Sequence, residues 1–92
     1  MREIKLVSRL TLDAAQLLWI EIESALDESD LGVELNAAKV TYLSAAALQV
    51  MLATKYICVA DRKELKITSP SEDFLHTLKV TGGYAHLQEY LA

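Results

Sequence analysis

The sequence predicts an α/β fold: a small four-stranded, mixed or parallel sheet with helices mainly on one face. Three observations carry this expectation. Short segments around residues 4–7, 33–36 and 65–68 alternate apolar with polar residues, the period of strands with one buried face. The stretches between them carry apolar residues at helical spacing. Alternating strand and helix favours parallel strands joined by right-handed crossovers. The alternation within the strands also points to an open second face, because sheets covered on both sides read as continuous apolar runs.

Ile4 to Val7 is the first predicted strand. Leu10-Thr11-Leu12-Asp13 is a helix entrance, with Thr11 or Asp13 as its cap. The first helix runs to about Leu26, with Ala15, Leu18, Ile22, Ala25 and Leu26 on one stripe. Val33 and Leu35 alternate with Glu34 and Asn36 in the second strand. Ser44 then caps a second helix reaching about Ala60, in which Ala45, Ala46 and Ala47 leave the first turn nearly bare. Leu65 to Thr68 is the third strand, after a turn at Asp61-Arg62-Lys63. Ser69-Pro70-Ser71-Glu72 reads as a capping box with proline at the first helical position. Phe74, Leu75 and Leu78 supply the buried face of that third helix, and Gly82-Gly83 ends it. Tyr84, Leu87 and Leu91 suggest a short last helix.

Ninety-two residues make one domain, 1–92, with a single core, and 52% hydrophobic content is that of a folded chain. The net charge of −4, with no basic cluster beyond Arg62-Lys63, argues against nucleic-acid binding, which depends on neutralising phosphates. The single cysteine, Cys58, has no internal partner, and no signal-peptide pattern opens the chain; both fit a cytoplasmic protein. The longest apolar stretch, near Ala45 to Ala53, is too short to cross a bilayer and contains Gln49, so no membrane insertion is expected.

The usual catalytic constellations are missing. His76 and His86 lie on different elements without ligands at metal-binding spacing, and Gly82-Gly83 lacks the lysine and helix of a phosphate loop. Cys58 falls near the core stripe of its helix, as an inert buried thiol does. The carboxylates, Glu21 with Glu23 or Glu72 with Asp73, read as solvated helix surface and complement to the helix dipole. The expectation is a non-enzyme with no catalytic residues, no metal and no cofactor. Three positions break the pattern. Lys55 sits on an apolar stripe with Leu48, Leu52 and Val59, either snorkelling or placed for a partner. Ile20, beside Trp19, lies on the polar side of the first helix. The second helix is apolar on both sides, either because neighbours sandwich it or because its outer side is an interaction surface.

These elements, in this order, resemble the STAS domain, the fold of bacterial anti-sigma factor antagonists, from Ile4 to about Leu87. The most specific part is VELNAAKVTYLSAAALQVML. Leu35-Asn36 matches the family's hydrophobic-Asp strand end. Ser44-Ala45-Ala46-Ala47-Leu48 is in register with its Asp-Ser-Ser-Gly-Leu helix start. Ser69-Pro70-Ser71 with Phe74 and Leu78 looks like its third helix, and the start with Leu48-Gln49 looks like short chemotaxis-associated or two-component-associated members. In phosphorylated antagonists a serine or threonine follows the aspartate; here Ala45 takes that place and Ser44 stands at the aspartate. Ser44 is thus either a substitute acceptor or a plain N-cap.

The resemblance implies a non-catalytic interaction module of bacterial signal transduction. Its implied partner is a histidine-kinase-like ATPase domain, either an anti-sigma kinase or the chemotaxis kinase. Docking would use Thr41, Tyr42, Ser44, Ala45, Ala46, Ala47 and Gln49, with adjacent residues of the third helix. The chain itself would be a monomer or weak dimer. An accessory STAS subunit gripping the ATPase of a bacterial lipid-transport ABC complex is the alternative. A nucleotide or small-molecule sensor, using the bare helix end for an anion, is disfavoured by the lack of a basic or glycine-rich loop.

Overall fold

The computed structural model describes residues 1–92. Its elements in chain order are β1 (Arg2–Lys5), β2 (Arg9–Leu10), α1 (Leu12–Glu28), β3 (Gly32–Asn36), β4 (Tyr42–Leu43) and α2 (Ala45–Ala60). They are followed by β5 (Glu64–Thr68), α3 (Glu72–Thr81), α4 (Gly83–Leu87) and a 3-10 turn at Gln88–Tyr90.

The sheet departs from the predicted four strands. β1, β3 and β5 form a three-stranded parallel sheet with β3 in the centre, and β2 pairs with β4 in a separate parallel ladder. The reason lies in the backbone beyond Lys5. The Leu6 amide still donates to the Asn36 carbonyl, at 2.9 Å, but the Thr41 and Tyr42 amides both donate to Ser8 O, at 2.7 and 3.1 Å. The turn from Ala37 to Val40 intervenes, so the pairing resumes one step away from the main sheet. There it engages only two residues on each side before the helices begin.

Register explains the alternation. Ile4, Leu35 and Ile67 stand in one row and are buried, as are Val33 and Leu65 in the row before. The interleaved rows Glu3–Glu34–Lys66 and Lys5–Asn36–Thr68 point to the opposite face. α1 packs on β1 and β3, and α2 packs on β5 and along α1. The core therefore lies between the apolar sheet face and the two long helices. No helix of the structure is long and apolar enough to cross a membrane.

Three hydroxyls cap the helices. Thr11 Oγ1 accepts from the Ala14 amide at 3.3 Å, Ser44 Oγ from Ala47 at 3.1 Å, and Ser71 Oγ from Phe74 at 3.1 Å. The third cap corrects the expected capping box. Ser71, not Ser69, caps α3, and Pro70 precedes the cap instead of opening the helix. Ser69 adopts φ 50°, a left-handed turn residue, while the Ser71 hydroxyl also donates to the Val40 carbonyl at 2.6 Å. That second bond fixes where α3 can start.

α2 has three working sides. Ala47, Met51, Thr54 and Cys58 face the core, and the buried Thr54 hydroxyl donates to Val50 O at 2.8 Å. Of the two explanations for its double-sided apolar pattern, the sandwich describes the flanks: α1 lies on one side and α4 on the other. Lys55 is half-buried. Its ammonium donates to the His86 carbonyl at 3.0 Å, with the Tyr56 and Tyr90 rings 5.6 and 5.9 Å away. It clasps the last carbonyls of α4, where a cation is favoured. α4 can come so close because of Gly83: a Cβ there would lie 2.9 Å from Leu48 Cδ1.

Gly32 opens β3 at φ 132°, and a Cβ on it would meet the Glu64 carbonyl oxygen at 2.0 Å. No side chain can move aside to relieve that clash, since the obstacle is the backbone of the neighbouring strand. Gly32→Ala is expected to cost about 3 kcal/mol or more. Thermal unfolding should show a melting point lower by roughly 12 °C or more.

Candidate docking site at the start of the second helix

Each main-sheet strand is followed by a helix, so α1, α2 and α3 all begin near the carboxyl ends of the strands. The loops there are tied to one another. The Ser44 amide donates to Leu10 O at 2.9 Å, the Ser71 amide to Ala37 O at 3.3 Å, and the Thr41 hydroxyl to Ser8 O at 3.1 Å. Asn36 Oδ1 accepts from the Ala38 amide at 3.0 Å, an Asx turn that bends the chain out of β3. The start of α2 is thus held on a hydrogen-bonded platform built from three loops.

On this platform the alanine triplet faces three ways, because successive helical residues are about 100° apart. Ala45 is exposed, Ala46 is half-buried toward α1, and Ala47 is fully buried in the core. The expectation that Ala47 forms part of a docking surface is therefore corrected: its methyl packs under α2 and no partner can touch it. Ala45, Leu48, Gln49 and Leu52 of α2 meet Thr77 and Thr81 of α3 around an open groove of about 330 Å³. Ser44 sits at its mouth, half-buried, its hydroxyl accepting from Ala47. Thr41 and Tyr42 are exposed on the adjoining strand segment, but neither lines the groove. The Tyr42 ring lies beneath the Arg9 guanidinium, 5.0 Å from ring centre.

Leu48 and Leu52 were absent from the residues expected to dock, and the third-helix residues expected beside them, not specified by the sequence, are Thr77 and Thr81. Thr77 and Thr81 are four residues apart, hence on one helix face, and flank the buried Leu78; that spacing was the available signal. The Thr81 hydroxyl donates back to Thr77 O at 2.7 Å, so it is already satisfied and its methyl is what the groove offers.

The remaining chemical groups lie elsewhere. No three His, Cys, Asp or Glu side chains converge as metal ligands would. His76 and His86 are both exposed. Burial pushes the Cys58 thiol above its ordinary pKa, partly offset by the Lys63 ammonium. Lys63 itself donates to the Leu26 carbonyl near the end of α1.

A family model described as "Mlab, STAS domain" matches residues 2–87. The chain belongs to the STAS domain family. Comparisons with curated proteins and with solved structures gave no match. STAS domains are generally non-enzymatic regulatory modules that work by contacting other proteins. In this STAS domain, Ala45 occupies the first turn of α2, exposed on the groove side.

Arginine substitution separates the alanines. Ala45→Arg should leave stability within about 0.5 kcal/mol, since the site is exposed and arginine is a good helix former. Ala47→Arg places a guanidinium in the core and should remove more than about 4 kcal/mol, or unfold the chain. Chemical denaturation of the two variants side by side checks both.

Proposed function

We propose that this STAS domain is a non-catalytic docking module of bacterial signal transduction, working in the cytoplasm as a monomer or weak dimer. It binds a histidine-kinase-like ATPase domain, either an anti-sigma kinase or the chemotaxis kinase. It modulates that partner by occupying its surface, without turning over a substrate. The observation that carries this reading is the groove between α2 and α3. It is lined by Leu48 and Leu52 together with Thr77, Thr81 and Gln49, and by the small Ala45 at the helix start. A rigid, mostly apolar groove with a small polar rim suits a protein surface, and pre-organisation lowers the ordering cost of binding.

Ala45 holds no hydroxyl and the Ser44 hydroxyl is engaged as the helix cap, so a serine kinase is expected to leave little or no phosphate on this chain, with Ser44 the first position to inspect if any appears. A phosphate on it would face the amino end of α2, where negative charge is favoured, but would displace the cap to the Ala47 amide.

The resemblance to the STAS family carries a second reading of the same surface, as the accessory STAS subunit of a bacterial lipid-transport ABC complex. The two readings differ in the partner, which is either a kinase-like ATPase domain or an ABC ATPase.

The chain immobilised as bait in lysate of its source, with captured ATPases identified by mass, separates the two. In either case Ala45→Arg is expected to weaken the purified pair by about 2 kcal/mol, roughly thirtyfold, measured by calorimetry. An Ala45→Arg protein that folds normally and binds with unchanged affinity would remove the groove from consideration as the docking site. ATP incubated with the pure domain should remain intact.

A further inference from the structure

The α2–α3 groove does not use the other flank of the second helix. There Leu12, Gln16, Trp19 and Ile20 of α1 meet Ala46 and Val50 of α2 around a second, almost wholly apolar groove of about 380 Å³. Leu12 and Ile20 are 60% and 63% exposed, and both line this one groove. Gln16 is exposed between them.

The charges along α1 have one sign. α1 carries Asp13, Glu21, Glu23, Asp27 and Glu28 and no lysine or arginine. Helical spacing puts Glu23 and Asp27 on the same stripe as Gln16 and Ile20, with Asp13 beside Leu12. Only Glu28 is neutralised, by Arg2 at 2.6 Å. α2 adds no carboxylate, and its one cation, Lys55, is held at the His86 carbonyl on the far flank. The trough itself is uncharged, and the α1 carboxylates outnumber the two cations near the ends of that helix, Arg9 over Tyr42 and Lys63 at the Leu26 carbonyl, so the trough suits a partner of opposite sign.

We propose that the α1–α2 groove is a second docking surface, separate from the α2–α3 groove, and that its occupant is a basic amphipathic helix of a partner protein. Two or three apolar side chains at helical spacing enter the trough, and flanking Lys or Arg residues reach Asp13, Glu23 and Asp27. A second copy of this chain is the wrong occupant. A two-fold pairing through this face would bring the α1 carboxylates of both copies together. An anionic membrane is repelled by the same charges.

The groove contains its own reporter. Trp19, the chain's single tryptophan, is half-buried in its wall. The probes are short amphipathic helical peptides with leucine on one face and lysine, glutamine or glutamate on the other. The lysine peptide should shift Trp19 emission to the blue and saturate. The glutamine peptide should bind more weakly, the glutamate peptide should be silent, and added salt should weaken the lysine peptide. Ile20→Lys should reduce its affinity about tenfold or more, and Leu12→Gln should reduce it less, while Ala45→Arg leaves it unchanged. Both groove positions are exposed, so the variants should melt as the parent does. The proposal fails if the lysine peptide leaves Trp19 unaffected, if the glutamate peptide binds equally well, or if both groove variants bind like the parent. It also fails if sedimentation shows a dimer broken by Ile20→Lys, or if phosphatidylcholine–phosphatidylglycerol vesicles shift Trp19 in place of the peptide.

Discussion

Everything in this domain is referred to β3. Val33 and Leu35 have no measurable exposure, and their strand hydrogen-bonds on both sides. β1 and β5 take their registers from it, α1 and α2 pack over the apolar rows it centres, and the loop leaving it carries the carbonyl of Ala37 that receives the Ser71 amide. Its entry is conditional on Gly32, where the backbone of β5 leaves no room for a methyl. A strand fixed on both edges and on one face has no freedom to slip, because a one-residue shift would turn Val33 and Leu35 to the polar side. The position of the docking platform is therefore inherited from the most constrained segment of the chain.

Where the sequence alone sufficed, local signals agreed with tertiary demands. Alternation located β3 and β5, and the caps Thr11 and Ser44 were legible because each precedes an apolar helical stripe. The misplaced cap of α3 shows the limit. Ser69 and Ser71 are chemically equivalent in sequence, and the choice between them is made by a carbonyl thirty-one positions away, at Val40. The missing fourth strand has the same origin. Leu10 and Leu43 are buried in the two-residue ladder, but in sequence Leu10 reads as a helix entrance and Leu43 as the end of a loop. Lys55 was visible as an anomaly, while its answer, the His86 carbonyl, lay on an element whose packing no pattern in α2 encodes.

The candidate site was half legible. The helix start and its small side chains were evident from Ser44 to Ala47, but not which alanine faced outward. A helical wheel needs an origin, and α2 gives an ambiguous one: Leu48 and Leu52 suggest one inner face, whereas Ala47, Met51, Thr54 and Cys58 are the true one. The larger leucines form the groove wall instead, and a threonine takes a core position because its hydroxyl is spent on the helix itself. Size was a poor guide to depth, since Ala47, Thr54 and Cys58 are buried while Leu48 and Leu52 are only half-buried.

The two borders of the main sheet have a further consequence. Beyond β5, Leu91 bridges to Ile67 and the Ala92 amide donates to the Ile67 carbonyl at 2.9 Å, so that border is covered at Ile67. The other border is β1, where Arg2, Glu3 and Lys5 surround a single buried Ile4. An extended segment from a stray chain would find one side blocked and the other lined with hydrated ions, which deters recruitment into fibrils. The exposed apolar grooves of this domain thus lie on its helices, away from the backbone edges where aggregation would propagate.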